Sequence, residues 1–511
     1  MKRTLAVSSA NVTIILLGGY LISFGKEAVI ASFMGVSSIS DAYAVAIQVP
    51  VTLFAFFAVS INSIIIPLYL DIKQNSGIDK ANLFVSNFIN ILTVVSLFIV
   101  FIGEVFAGQI IYLFAPGFNS DTHSLATFLL RLTIPSVSFT GIIQVLTSIL
   151  NANRVFNLPS LGPYFLNIIL ILTIVSMFSF LGVSSACIGQ FVGSFVQMIF
   201  IIRISKKYFN WSFEFTFNDE NLRKAGSMSL PVAWGISVSE VNTIVNRMVA
   251  SYLFVGSISA LSYASKLSTV FMSLFVSALS TIVYPLYSDS IAKVNYSKLN
   301  YLINFTLSSF SFVLIPLVIL MISFGNELVT LVFSRGRFDT IAVNQTQELF
   351  IFFSAGIIFL SFRQTLTNVF YALKDTKTPA LNASLGVFIN ICLNLTLPYL
   401  FGLKGLAISS TITAAFISIR LVYILHSRFD YIVLADFFQS IWKILLSGSI
   451  MVIFIIFFKS ELFFDLNNLG IILLVIFSCF LYLILNIIFR TKVTRDIFNT
   501  IKIPVISKYY D

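Results

Sequence analysis

Long apolar runs, broken by short polar and turn-rich stretches, recur from one end of the chain to the other. Cutting at the breaks predicts fourteen segments, near 9–35, 41–70, 82–112, 122–150, 159–180, 183–205, 228–255, 258–288, 299–333, 341–373, 379–400, 404–427, 437–458 and 469–490. Each is at least about the 20 residues that cross a bilayer core as a helix, and about twice the length of a barrel strand. Backbone in hydrocarbon has to satisfy its own N–H and C=O groups, so the segments are expected to be helices. The pattern therefore predicts an all-α polytopic membrane protein with 14 transmembrane helices.

Composition removes the soluble alternative. A chain of 511 residues would otherwise suggest roughly three globular domains. Charged residues are only 10% and hydrophobic residues 58%, with a mean hydropathy of +0.97, where soluble domains carry about 25% charge. The net charge of +10 would suggest nucleic acid in a soluble protein, but placement decides otherwise. Twenty Lys and Arg, from Lys2 to Lys508, fall on the side holding both termini, and four, Arg335, Arg337, Lys404 and Lys459, fall on the other. Cytoplasmic loops hold the basic excess, so both termini are expected in the cytoplasm and no nucleic-acid partner is expected. The first apolar run follows a basic start without a clear small-residue cleavage site, which reads as a retained first helix. Cys187, Cys392, Cys479, His123 and His426 have no metal-ligand or disulfide spacing. No metal or cofactor is expected, and no phosphate-binding loop for ATP is found.

The chain also resembles itself. IPLYLD at 66–71 returns as YPLYSD at 284–289, and QVLTSILNA at 144–152 returns as QTLTNVFYA at 364–372. Pro159 and Pro379 keep the same spacing, as do Gly182 and Gly402. Six segments plus six in the same orientation predict two pseudo-symmetric six-helix lobes, residues 1–215 and 216–430. Residues 431–511 add two C-terminal helices and a basic tail. Such a pair of lobes suits a transporter that opens a central cavity to each side in turn.

A charge near the bilayer centre costs several kcal/mol and marks a position to explain. Glu104, Arg131, Arg420 and Lys443 lie near segment ends, where long side chains reach water. Lys26 and Arg247 lie at nearly corresponding places in the two halves, in the polar stretches SFGKE and VNRMVAS. With Lys266 and Arg363 they form a candidate cationic cavity for a diphosphate. The alternative is structural: Lys26 paired with Asp41, and Arg247 with Glu240. Arg335 and Arg337, on an outer loop, are candidates for closure of the outward side. Lys and Arg side chains suit phosphate, and acids are scarce within the segments, so an amphipathic anion is expected rather than a cationic drug. Moving about two negative charges outward would release roughly 2 × 2.3 kcal/mol per 100 mV, so coupling to the membrane potential or to a monovalent ion is expected.

These residues carry a resemblance. FGKEAVIASFMG with SDAYAVAIQVP resembles the first two helices of the MurJ/MviN family, and GSISALSYASKL resembles that family's Y-A-x-R/K-L stretch. LVFSRGRFD at 331–339 and FYALKDTKTP at 370–379 resemble its two most specific signatures. The resemblance implies a flippase of the bacterial inner membrane, in the multidrug/oligosaccharidyl-lipid/polysaccharide exporter superfamily. Its implied substrate is lipid II, the undecaprenyl-diphosphate-linked peptidoglycan precursor, and a groove between the last two helices would take the lipid tail. By the same resemblance Lys26, Asp41 and Lys266 match the family's basic and acidic positions. One stretch departs: the family's second helix carries an Arg and an acid after its proline, where this chain reads VPVTLFAFFAVSIN without charge.

The expected function is export of an undecaprenyl-diphosphate-linked saccharide, lipid II foremost, by alternating access. Lys26, Arg247, Lys266 and Arg363 would hold the diphosphate, with Asp41, Glu240, Arg335 and Arg337 gating or pairing. The competing readings are a flippase for another polyprenyl-linked polysaccharide unit, a cation-coupled drug exporter, and a membrane scaffold. Expected partners are the polyprenyl-diphosphate-linked saccharide lipid, membrane lipids and proteins of cell-envelope synthesis. No nucleophile, acid/base pair or metal constellation supports an enzyme.

Overall fold

A computed structural model describes residues 2–213, 215–216, 220–273, 276, 278–461 and 468–501. Lys502 and Lys508, counted above with the basic tail, lie outside the described residues. All regular elements among the described residues are helices. Two compact units are formed, the first from Met1–Lys266, Val332–Thr346 and Ile391–Leu406, the second from Leu267–Leu331, Gln347–Asn390 and Ala407–Asp511.

The first unit contains α1 (Lys2–Met34), α2 (Ser38–Ser76), α3 (Ile78–Val105), α4 (Ala107–Phe114), α5 (Ser120–Thr133), α6 (Val137–Ala152), α7 (Gly162–Leu181), α8 (Ser184–Ser205), α9 (Glu220–Ser251) and the start of α10 (Ser257–Met272). At 39 residues α2 is about 58 Å long, nearly twice a bilayer core. It packs against α5, α6 and α9, and Val49, Ile65 and Tyr69 along it are fully buried. Pro50 lies inside α2 and has no N–H to offer the carbonyl of Ala46. The Thr133 hydroxyl donates to that carbonyl at 3.0 Å, so the proline leaves no unsatisfied group there. α7 and α8 approach closely because Gly189 and Gly193 sit four residues apart at their contact. A Cβ on either would lie within 3.0 Å of the α7 backbone at Leu170 or Leu166, which is the logic of a G-x-x-x-G interface.

α11 (Ala278–Ala292), α12 (Tyr296–Ser323), α13 (Gly325–Phe333), α14 (Thr340–Ala372), α15 (Lys377–Phe401) and α16 (Lys404–Arg428) follow, and the chain closes with α17 (Ala435–Glu461), α18 (Asn468–Ile488) and α19 (Lys492–Ile501). Within the second unit, α17 and α18 pack on α12 through Ile315, Ile444, Met451, Ile455, Leu474 and Tyr482. Pro316 lies inside α12 as Pro50 does in α2, and here the Tyr482 hydroxyl donates to the Phe312 carbonyl at 2.9 Å. Asn304 of α12 also accepts from the Phe437 N–H and donates to the Val433 carbonyl, both at 2.9 Å. The last two helices are thus tied to α12 by apolar packing and by hydrogen bonds at Asn304 and Phe312.

Twelve helices among the described residues are long and apolar enough to cross a membrane. The segments expected at 228–255 and 258–288 are helical but fall outside the twelve. Their described residues lie in α9, α10 and α11. The segments expected at 82–112 and 299–333 each divide in two, after Val105 and after Ser323. α3 and α12, at 28 residues, already reach about 42 Å, longer than a bilayer core, and α4 and α13 follow as short separate helices. The sequence repeat is visible in the backbone. α6 and α14 end 220 residues apart, at Ala152 and Ala372, each in a left-handed residue, Arg154 (φ 61°) and Lys374 (φ 63°). The same capping bonds close both ends, Val155 N–H to the Leu150 carbonyl and Asp375 N–H to the Phe370 carbonyl.

Candidate charged cavity

Inside the first unit, α1, α2, α8, α9 and α10 enclose a cavity of about 100 Å³ lined by Lys26, Glu27, Gln48, Arg247 and Lys266, among others. α1 brings Lys26 and Glu27 to it as neighbours in the polar SFGKE stretch, and α10 brings Lys266. Glu27 is 6% exposed. Its Oε1 lies 3.3 Å from Lys26 Nζ and its Oε2 2.7 Å from Lys266 Nζ. A buried carboxylate without partners would be costly, and two ammonium groups offset that cost. The group of three carries one excess positive charge. The Lys266 side chain is half exposed while that of Lys26 is 18% exposed, so Lys266 is the freer of the two to reach a visiting anion.

Arg247 is held differently. Its guanidinium donates to the Ala44 carbonyl at 3.0 Å and to Gln48 Oε1 at 3.1 Å. The Gln48 amide donates to Thr52 Oγ1 at 3.2 Å, and the Thr52 hydroxyl donates to Glu240 Oε2 at 2.6 Å. A chain of hydrogen bonds thus runs from guanidinium through amide and hydroxyl to carboxylate. Gln48 and Thr52 are one helical turn apart on α2, on either side of Pro50, so both point to the same neighbour.

Asp41 is buried and caps α10. Its two carboxylate oxygens accept from the N–H groups of Gly256 and Ser259, both at 2.7 Å, where the helix N-terminus favours negative charge. The expected Lys26–Asp41 pair is therefore corrected: Asp41 serves the α10 terminus, and Glu27, adjacent in sequence to Lys26, is the counter-ion. The direct Arg247–Glu240 pair is corrected as well, because Gln48 and Thr52 stand between them. Glu27 is the acid in the lining, beside the cations Lys26, Arg247 and Lys266.

Arg335 and Arg337 sit in the exposed turn between α13 and α14, and neither lines the cavity. The turn packs on the end of α1: the Arg337 N–H donates to the Ser32 carbonyl at 2.8 Å. Between them Gly336 is left-handed (φ 61°), and a Cβ there would come within 2.2 Å of the same carbonyl. The first half repeats this contact 219 residues earlier. Gly117 packs on the end of α9, its N–H donating to Ser251 Oγ at 3.0 Å, and a Cβ would lie 2.4 Å from the Ser251 carbonyl. Beside the Gly336 turn, Phe333 and Phe338 pack on Tyr263 with centroids 5.4 and 5.7 Å away. Each half thus lays a glycine turn on the first helix of the other half. Arg363 is exposed on α14 in the second unit and does not line the cavity. Glu27, Gln48 and Thr52 are absent from the expected site residues. Their signal was in the sequence, a charge beside Lys26 and two polar residues at helical spacing around a proline in an apolar run.

Helices of this length and number make an integral membrane protein, and their fold is one that solved transporters share. A multidrug resistance MATE family transporter of the MOP superfamily, in an inward-facing conformation, matches with a TM-score of 0.63 at 13% identity, covering 82% of this chain and 94% of that one. The family model "Lipid II flippase MurJ" matches residues 30–479, and the chain belongs to that family, one of transporters rather than enzymes. It is 27% identical over 457 residues to the probable lipid II flippase MurJ of Buchnera aphidicola subsp. Baizongia pistaciae, over 88% of each chain. A solved structure of lipid II flippase MurJ in an inward closed conformation matches with a TM-score of 0.83 at 26% identity, covering 95% of this chain and 99% of that one.

Proposed function

We propose that this protein is a lipid II flippase that exports its lipid-linked saccharide across the bacterial cytoplasmic membrane by alternating access, with both termini in the cytoplasm. The observation that carries the reading is Glu27, clamped between Lys26 and Lys266 in a buried cavity of a chain that belongs to the lipid II flippase family. A diphosphate presents more acceptor oxygens and more negative charge than one carboxylate, so it competes with Glu27 for the two ammonium groups. Without substrate, Glu27 holds the lysines in place and offsets one of the positive charges that line the cavity. At about 100 Å³ the cavity is below the roughly 300–1,000 Å³ of ordinary ligand sites and has to widen to admit a head group. The glycine turns at Ser32 and Ser251 are the contacts that close the non-cytoplasmic end, and they separate when the cavity opens outward. Arg247, held by the Gln48–Thr52–Glu240 chain, adds a donor fork for the diphosphate, and Arg363 contributes in another stage of the cycle. The inside-negative potential favours the outward step of an anion.

The test is depletion of the resident flippase in a bacterial host, with this chain supplied in its place and lipid II assayed on the outer leaflet. Restoration by the parent chain, and loss of it in Lys26→Ala and Lys266→Ala at equal expression, is the expected result. Full restoration by both variants would overturn the charged-cavity reading. No restoration by a well-expressed, inserted parent chain would overturn lipid II as the substrate.

A further inference from the structure

A second and much larger cavity, of about 970 Å³, lies in the first unit between α3, α6 and α8 and shares no lining residue with the charged one. Its walls include Val94, Ile142, Leu146, Ile202 and Phe213, with Lys206 at the end of α8. None of its lining residues is acidic. Its roof is the segment that follows α8 and leads into the second half of the repeat. That segment is tied to α3 by a polar ladder. The Ser212 N–H donates to Ser86 Oγ at 3.1 Å, Trp211 Nε1 donates to Asn90 Oδ1 at 3.0 Å, and Asn87 makes paired bonds with the backbone of Thr216 at 2.8 and 3.0 Å. Trp211 and Phe213 of the roof are 58% and 76% exposed, and aromatic side chains of this kind favour the level of lipid head groups. The chain there is basic, with Arg203, Lys206 and Lys207 in five residues.

An apolar cavity of this size, between membrane helices and with a cation at its mouth, is matched by one class of molecule within reach: a membrane lipid with a hydrocarbon chain and an anionic head. We propose that the cavity is a resident-lipid site, filled by an acyl chain of an anionic phospholipid whose phosphodiester lies at Lys206. Basic pockets between helices on the cytoplasmic side are recognised sites for anionic head groups. One lining lysine suits the single charge of a phosphodiester, whereas a diphosphate calls for the clustered cations of the other cavity. Because the roof is the segment joining the two halves of the repeat, an occupied site props that segment against α3, and lipid composition thereby bears on how the halves are linked.

The experiment uses the full chain in nanodiscs containing equal phosphatidylglycerol and phosphatidylcholine, released into the gas phase for native mass spectrometry. Retention of phosphatidylglycerol over phosphatidylcholine is expected, weakened about fivefold by Lys206→Gln, as for one basic residue near an anionic surface. Val94→Trp, at a half-exposed position that tolerates bulk, puts an indole across the apolar wall and should weaken retention of both lipids, while Lys266→Ala should leave it unchanged. Equal retention of both lipids, or phosphatidylglycerol retention indifferent to Val94→Trp, would overturn the proposal. So would undecaprenyl phosphate displacing phosphatidylglycerol from the parent chain but not binding Val94→Trp, which would make this a prenyl site. Lys206→Gln and Val94→Trp do not touch the charged cavity, so failure here is distinct from failure of the flippase reading.

Discussion

Replacing Glu27 by Gln removes the only charge between two ammonium groups that sit 3.3 and 2.7 Å from its oxygens. Removing one partner of a fully buried ion pair costs about 3–5 kcal/mol, because the remaining charge is stranded, whereas an exposed pair is worth about 0.2–1 kcal/mol. The two lysines differ: Lys266 is half exposed and can turn to water, while Lys26, 18% exposed, cannot do so freely. The cost therefore falls between those limits, at about 2–3 kcal/mol, most of it from Lys26. A double-mutant cycle of Glu27→Gln with Lys266→Gln, read by unfolding of the full chain in detergent, should give a coupling of about 1 kcal/mol, above the 0.3–0.5 kcal/mol scatter of independent sites. The functional arm has the opposite sign. Glu27→Gln frees both ammonium groups, so undecaprenyl diphosphate should bind more tightly, by about tenfold for each 1.4 kcal/mol gained, while export slows because release is hindered. Additive stabilities within that scatter, or weaker binding of the diphosphate lipid in Glu27→Gln, would refute the clamp.

Four further outcomes are expected. Gly336→Ala combines a left-handed backbone, at about 1–2 kcal/mol for an L-residue, with a Cβ 2.2 Å from the Ser32 carbonyl. It should loosen the α1 contact and raise labelling of Ile47→Cys by a membrane-impermeant thiol reagent, and unchanged labelling would remove this turn from the gate. Thr52→Val breaks the bridge from Arg247 to Glu240 and should lower export of lipid II, with Thr52→Ser restoring it; equal loss in both variants would point to packing instead. Tyr482→Phe withdraws the donor from the carbonyl opposite Pro316 and should destabilise the docking of α17 and α18 by about 1–3 kcal/mol, measured by thermal unfolding. Outside the membrane spans, the Thr378 hydroxyl and N–H, together with Arg428, hold the Asp375 carboxyl below its usual 3.8. A depressed folded pKa contributes stability that is present above pH 3.8 and lost as pH falls through the lower folded value. The protection factor of the Thr378 amide, corrected for the intrinsic exchange rate, should therefore fall below about pH 4 in the parent chain, and Thr378→Ala should move that onset upward.

Much of this was readable from the chain, because lipid as a solvent leaves the sequence few choices. Apolar runs of bilayer length have to be helices, and the match of 144–152 with 364–372 recurs as matched helix ends and matched left-handed caps. Lys26, Arg247 and Lys266 stood out because a charge in an apolar run has to be explained locally. The partner of each charge was a different matter. Asp41 and Glu27 are both acids near Lys26, and only packing shows that the α10 terminus takes the first and two lysines share the second. The repeat did not help there, since the residue 219 positions after Asp41 is Ala260, so one half supplies the cap without receiving it. Gln48 and Thr52 read as ordinary polar positions until α9 lies beside α2 and makes them a bridge. Arg363 had the same signal as Lys266, and the fold places it in the other unit.

What the sequence determined by itself was the solvent, the helical class, the internal duplication and the set of charges that need an explanation, since these follow from composition and from spacing along one chain. Tertiary structure alone decided which acid neutralises which base, which hydroxyl reaches the carbonyl that a proline leaves open, and where an apolar face is left as a cavity. Each of those depends on groups from different helices, tens to hundreds of residues apart, brought together by apolar surfaces that are alike, so no local pattern records the choice.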